Sequence, residues 1–257
     1  MVAIWLNNLT THRRLKILSK PKKKVQRRKN SVVNFNQAVK AKVRETHLIP
    51  KSVNQEKYIL GLLDEKQDIL IAYGPAGTGK TYLAMQAAIK QLRQGSIERI
   101  VLTRPAVGVE DEKHGFLPGT LEEKMAPWTR PLLDVMREYY STQDITRMLE
   151  NQVVEIAPLA FMRGRTFKNS WIVGDEMQNA TPGQMKMLLT RIGEGSKIVI
   201  TGDVEQTDKR KKDNGLIDLC GRLQKSIAGI KVCELNSNDI QRHRIIESVL
   251  EMYSDQD

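Results

Sequence analysis

The sequence is poor in cysteine, poor in aromatic residues and, over its first 51 positions, almost without acidic ones. Each shortage excludes something. Two cysteines, Cys220 and Cys233, cannot build a disulfide framework, and no C-x-x-C pair offers zinc spacing. A reduced, cytoplasmic setting is the expectation. No apolar run approaches the ~18 residues that a membrane span requires. Aromatic residues make up 5% of the chain. Few of them stand beside its positive charges, so base stacking is not indicated. What is present is a chain of 257 residues, 40% of them hydrophobic, enough for a substantial core.

The formal net charge of +11 is unevenly held. Residues 1–51 contain 14 of the 41 Lys and Arg but only one of the 30 acidic residues, Glu45. They therefore carry +13, while residues 52–257 carry −2. The division predicts a basic N-terminal arm over 1–51 and a nearly neutral body over 52–257. The densest stretch of the arm runs from Arg13 to Lys29. Such a block repels itself and is expected to stay extended and disordered. Opposite a phosphate backbone it would release counterions and bind without sequence preference. A solvated tail that serves solubility is the alternative. An acid-poor N-terminus also resembles a transit peptide, but Lys outnumbers Arg here and Ser is scarce. A secretory signal places its charges before its apolar stretch, whereas residues 2–6 precede the charges.

In the body, apolar periodicity predicts a first helix over 52–66, with Tyr58, Ile59, Leu62 and Leu63 on one face. Short continuous apolar runs then recur at 69–72, 100–102, 153–156, 171–173, 198–200 and 230–233. Strands that read this way are buried on both faces. Helical patterns at 81–93, 121–140, 182–192, 216–223 and 244–253 separate most of them. Alternation of this kind implies right-handed crossovers and a mostly parallel sheet between two helical layers. A long loop over 104–120 holds Gly108, Gly115, Pro118 and Gly119, and loops of that length are more often functional than not.

The strand ending at Tyr73 runs into Gly74, Pro75, Ala76, Gly77, Thr78, Gly79, Lys80 and Thr81. This is G-x-x-x-x-G-K-[ST] between a strand and a helix, the context the phosphate-binding loop requires. Its glycines let backbone N–H groups wrap an anion, and the following helix points its positive end at the same place. Lys80 would reach the β- and γ-phosphates of ATP, and the Thr81 hydroxyl would ligate Mg²⁺. A second metal contact is expected from Asp175, at the end of the apolar run 171–173. Glu176 would face the γ-phosphate and polarise an attacking water. An adjacent Asp-Glu pair favours hydrolysis over transfer to a small acceptor. Further on, the run 197–203 ends in Thr201, Gly202 and Asp203. Gln206 beyond it could bind the γ-phosphate or the attacking water, or simply belong to a polar turn.

Six motifs then occur in order: GPAGTGKT, TRP at 103–105, GFLPG at 115–119, DEMQN at 175–179, TGDVEQTD at 201–208 and DIQRH at 239–243. Together they resemble the PhoH family of P-loop ATPases over residues 54–253. That family is similar to the first motor domain of superfamily-one helicases. The resemblance implies a three-layer, RecA/helicase-like P-loop fold with core strand order 5-1-4-3-2, the TGD strand lying between the P-loop strand and the Asp175 strand. It also implies that Gln55 reads adenine. Arg242 would act as an arginine finger toward a neighbouring subunit, in a ring-shaped homo-oligomer such as a hexamer; capping of helix carbonyls is the other reading. Arg104 and the turn Arg163-Gly164-Arg165 are candidate nucleic-acid or subunit contacts, or else solvated loop charges. The sequence departs from the family in a polar lead-in, Asp111 to His114, and in a basic loop, Lys209 to Lys212. Only the short arm stands where cellular members often carry a further domain, a compactness suited to a phage-encoded member acting in the host cytoplasm.

The leading functional expectation is ATP hydrolysis coupled to binding or remodelling of RNA or single-stranded DNA. The alternative is an ATP-dependent regulatory switch or assembly protein without motor activity, and a third is a nucleotide-binding module without turnover. The absence of N-K-x-D argues against a GTPase.

Overall fold

A computed structural model describes residues 45–105, 130–207, 213–223 and 225–241. The densest part of the arm, the GFLPG motif, the basic loop at Lys209 to Lys212, Arg242 and the helix expected over 244–253 lie outside the described residues. So does most of the loop expected over 104–120.

Six strands form one wholly parallel sheet: β1 Ile69–Tyr73, β2 Arg99–Thr103, β3 Val154–Ile156, β4 Ser170–Gly174, β5 Lys197–Gly202 and β6 Ile230–Glu234. Their order is β3-β2-β4-β5-β1-β6. Without β3 this is the expected five-strand order. β3 adds a sixth member at the edge, where Val154 pairs with Ile100. The TGD strand β5 lies between β1 and β4, as expected.

The continuous apolar runs are explained by burial on both faces. Leu70, Ala72, Ile100, Leu102, Trp171, Val173 and Val199 enter one core, while Ile71, Val101, Ile172, Ile198 and Ile200 enter the other. The first core is closed by α1 (Val53–Leu63), α2 (Lys80–Gln94), the helical residues 130–137 and α3 (Thr142–Glu150). The second is closed by α4 (Pro182–Leu189) and α5 (Gly215–Arg222). Each fully buried Leu, Ile or Val contributes about 1.5–3 kcal/mol.

Three helices end about a turn before their periodicity predicts: the one expected over 121–140 is helical only to residue 137. α1 ends at Leu63 because Asp64 turns extended and its carboxylate accepts the Lys66 N–H at 3.0 Å. The Lys197 ammonium then caps α1, donating to the carbonyls of Leu62 at 2.8 Å and Asp64 at 2.7 Å. Burial pulls this lysine down to about 8 against the upward pull of Asp64, Asp68 and Glu65. α4 stops at Leu189 because Ile192 leaves the helix to bridge Phe167. Its start is secured by a capping box between Thr181 and Gln184. Among the described residues no helix is long and apolar enough to cross a membrane.

Candidate functional site

Parallel strands all point the same way, so the segments after β1, β2, β4, β5 and β6 meet at one sheet edge, where open α/β sheets bind ligands. The loop after β1 starts at Gly74, whose N–H donates to the Gly202 carbonyl at 3.2 Å. Gly74 has φ 142°, and a Cβ there would fall 2.0 Å from the Leu235 carbonyl oxygen. Only glycine fits. Gly77 and Gly79 take the left-handed region at φ 83° and 81°. The Thr78 hydroxyl closes the loop onto the Pro75 carbonyl at 2.9 Å. α2 then begins at Lys80 without a side-chain cap, which leaves its first N–H groups to an anion. The Lys80 ammonium is buried across the loop, donating to the carbonyls of Gly74 at 2.6 Å and Pro75 at 2.7 Å and to the Thr78 hydroxyl at 3.2 Å.

Gln55 and Tyr58, on α1, pack behind this loop. The Gln55 amide donates to the Thr78 carbonyl at 3.1 Å and accepts the Lys51 N–H at 2.8 Å. The Tyr58 hydroxyl donates to the Lys80 carbonyl at 3.1 Å. Burial, then Cys233 and Asp175, push this phenol well above its ordinary value, so it stays a donor.

Asp175, at the end of β4, is buried, and its N–H donates to the Thr103 carbonyl at 3.0 Å. One carboxylate oxygen, Oδ1, accepts two hydroxyls: Thr81 at 2.7 Å and Thr201 at 2.6 Å. A carboxylate and two hydroxyls are hard oxygen donors, the set Mg²⁺ favours, with phosphates and waters completing its shell. Thr81 and Asp175 would hold the ion and Thr201 would orient Asp175.

Glu176 sits in the left-handed region at φ 53°. For a non-glycine residue this conformation costs about 1–3 kcal/mol and must be held by its surroundings. Its Oε2 accepts the Gln178 amide at 2.6 Å and its Oε1 accepts Arg104 at 2.8 Å. Gln178 is buried, and its side-chain Oε1 accepts the Asp203 N–H at 3.1 Å. A cavity of about 250 Å³ collects these groups, lined by Gly77, Lys80, Thr81, Asp175, Glu176 and Gln206 among others. A larger depression of about 710 Å³ opens at the opposite sheet end, around Trp171 and Lys197, away from every group just named.

The DIQRH segment also reaches the loop. Leu235 N–H donates to the Tyr73 carbonyl at 2.9 Å and Gln241 N–H to the Gly77 carbonyl at 2.9 Å. Asp239 is buried at the end of a short 3₁₀ turn and accepts the Asn54 amide at 3.0 Å and the Asn236 N–H at 2.7 Å. Burial pushes its pKa up, but hydrogen bonds from Ser52, Asn236 and Asn54 outweigh this and hold the carboxyl below its ordinary value.

The structure thus brings Lys80, Thr81, Asp175, Glu176 and Gln206 to one cavity and puts Gln55 behind its loop. Sequence reading missed the roles of Thr201 and Gln178. The available signal was strand order: a TGD strand between the P-loop and Asp175 strands sets Thr201 beside Asp175. Arg104, expected at nucleic acid or a subunit boundary, turns its guanidinium onto Glu176 and, at 3.4 Å, Asp175. Arg165 is committed to Glu155, with one contact at 2.8 Å, and lies over Phe167 at 4.5 Å. Hydrogen bonding from Arg165 holds Glu155 below the usual carboxylate range.

Comparison with known proteins adds ancestry. The family described as PhoH-like protein matches residues 47–254. A PhoH-like protein of Bacillus subtilis is 44% identical over 206 residues, which cover 80% of this chain and 64% of that protein. One from Synechocystis is 41% identical over 220 residues, covering 85% and 66%. Protein PhoH of Escherichia coli is 36% identical over 214 residues, covering 82% and 60%. The chain therefore spans less than two thirds of the length of these relatives. Among solved structures, the Pif1 helicase from Candida albicans aligns with 80% of this chain and 44% of that chain, at 17% identity and a TM-score of 0.42.

Proposed function

Because the chain belongs to the PhoH-like protein family of P-loop ATPases, we propose that it binds ATP with Mg²⁺, hydrolyses it at this site, and couples turnover to RNA or single-stranded DNA. The observation that carries the reading is the Asp175 carboxylate bonded at once to Thr81 on the phosphate loop and Thr201 on the neighbouring strand, with Glu176 in the same cavity. A buried carboxylate bridging two hydroxyls beside an uncapped helix start is built for a cation and an anion together.

In this reading the N–H groups of Ala76 to Thr81 bind the phosphates and Lys80 exchanges its loop carbonyls for β- and γ-phosphate oxygens. Mg²⁺ supplies charge neutralisation when bound. Glu176 takes a proton from the attacking water as the water oxygen bonds to Pγ. The bond from Pγ to the bridging oxygen breaks, and ADP and phosphate leave. Gln206 contacts the γ-phosphate or the water. Gln55 reads adenine from its place behind the loop. Arg242 serves a neighbouring subunit of a ring, and the arm of residues 1–51 supplies contacts to nucleic-acid phosphates.

The test is ATPase rate with and without RNA or single-stranded DNA, at two salt concentrations, on the full chain and on a chain lacking residues 1–51. Nucleic acid should stimulate turnover, and stimulation should fade steeply with salt and with loss of the arm. Unchanged rates would favour the ATP-dependent switch. Glu176→Gln should abolish turnover and preserve ATP binding; unchanged turnover would remove Glu176 as the base.

A further inference from the structure

β2 and β4 are parallel neighbours with Thr103 level with Gly174, so Arg104 comes level with Asp175. Its guanidinium stands 2.8 Å from Glu176 Oε1 and 3.4 Å from Asp175 Oδ2. The Arg104 side chain is 22% exposed against 42% for Glu176, so the pair sits at the rim of the site, within reach of solvent. The second Glu176 oxygen accepts Gln178 at 2.6 Å, and Gln178 is buried and anchored to Asp203. Both oxygens of the carboxylate are therefore engaged by protein donors, on a backbone already held at φ 53°.

A general base must direct an oxygen lone pair at a water. A carboxylate with a guanidinium on one oxygen and an amide on the other does this poorly, because both oxygens are already engaged. We propose that Arg104 is a positioning residue that holds Glu176 in a non-productive pose and thereby limits basal ATP turnover. The inference rests on Glu176 being the base. Gln178 remains as the fixed partner, so release of Arg104 frees one oxygen and leaves the side chain oriented. Arg104 thus sets how often the base is available; its weaker contact to Asp175, at 3.4 Å, is released with it, while Thr81 and Thr201 still hold that carboxylate.

The experiment measures basal kcat and the KM for ATP on the full chain for wild type, Arg104→Gln, Arg104→Lys and Glu176→Gln. Arg104→Gln should raise kcat about fivefold, the scale of one partly exposed ion pair. Its KM should stay near that of wild type, since the phosphate loop is not altered. Arg104→Lys keeps a cationic donor toward Glu176, so its kcat should fall between the two. A purely structural ion pair would leave kcat unraised, and that result overturns the proposal. A fall in kcat overturns it too, because Arg104 would then assist the reaction. If Glu176→Gln keeps full turnover, the base assignment itself has failed. Collapse of Glu176→Gln with an unmoved Arg104→Gln sinks the brake alone.

Discussion

Replacing Thr201 with valine removes one hydroxyl and leaves the side chain's shape almost unchanged. Thr201 is fully buried, and its Oγ1 donates to Asp175 Oδ1 at 2.6 Å. Valine leaves that oxygen with Thr81, at 2.7 Å, as its remaining hydroxyl partner. A hydrogen bond to a charged group is worth ~1.5–3 kcal/mol. Because Thr81 still serves the same oxygen, the loss should lie near the lower end, about 2 kcal/mol. Urea denaturation should show it as a lower midpoint with an unchanged slope. The functional consequence is separate. Thr201 orients a carboxylate proposed to hold Mg²⁺, and loss of such an orienting partner typically costs 10–100-fold in metal affinity or activity. The Mg²⁺ concentration for half-maximal ATPase should therefore rise by about that factor. Serine in place of valine should restore both. Lost stability with an unmoved Mg²⁺ requirement would refute Asp175 as the metal ligand. Unchanged stability would refute the hydrogen bond itself.

Two further outcomes follow from packing and burial. A Cβ on Gly202 would fall 2.6 Å from Leu216 Cδ2 and 2.7 Å from Gln178 Oε1. Gly202→Ala should cost about 1–3 kcal/mol of stability by overpacking and lower kcat by displacing the amide that holds Glu176. Normal kcat at reduced stability would separate Gln178 from the chemistry. Lys197 is protonated in both states below pH 8, deprotonates in the folded protein near 8, and stays protonated when unfolded until about 10.5. Stability should accordingly rise with pH across that window, where the unfolded chain binds more protons. The full shift would be on the order of 3 kcal/mol, but partial exposure and the carbonyls capped by Lys197 reduce it to about 1–2 kcal/mol. Lys197→Met should remove this rise in denaturation curves taken at pH 7.5, 8.5 and 9.5; a wild-type-minus-variant difference that ignores pH would refute it.

Much of the molecule was legible because its signals are local. Six strands read as continuous apolar runs because both faces of the sheet are covered, and the phosphate loop reads from glycine spacing because only glycine tolerates φ 142° against Leu235. The ends of α1 and α4 were misplaced, since a turn at Asp64 and a bridge from Phe167 to Ile192 end them, and periodicity is silent on both. In the sequence Arg104 reads as a nucleic-acid or subunit contact or a solvated loop charge. Its partner Glu176 lies just past the end of β4, 72 residues away in sequence, and parallel pairing of β2 with β4 brings the two together.

By itself the sequence determined the parallel α/β class, the phosphate loop, the Asp175-Glu176 pair and the segregation of positive charge into residues 1–51, because each is written in neighbouring residues or simple periods. Only the tertiary structure decided what surrounds the carboxylates: Thr201 on Asp175, and Gln178 and Arg104 on Glu176. Those contacts arise where the ends of separate strands converge, and the angle and depth at which side chains meet there depend on the packing of the whole sheet.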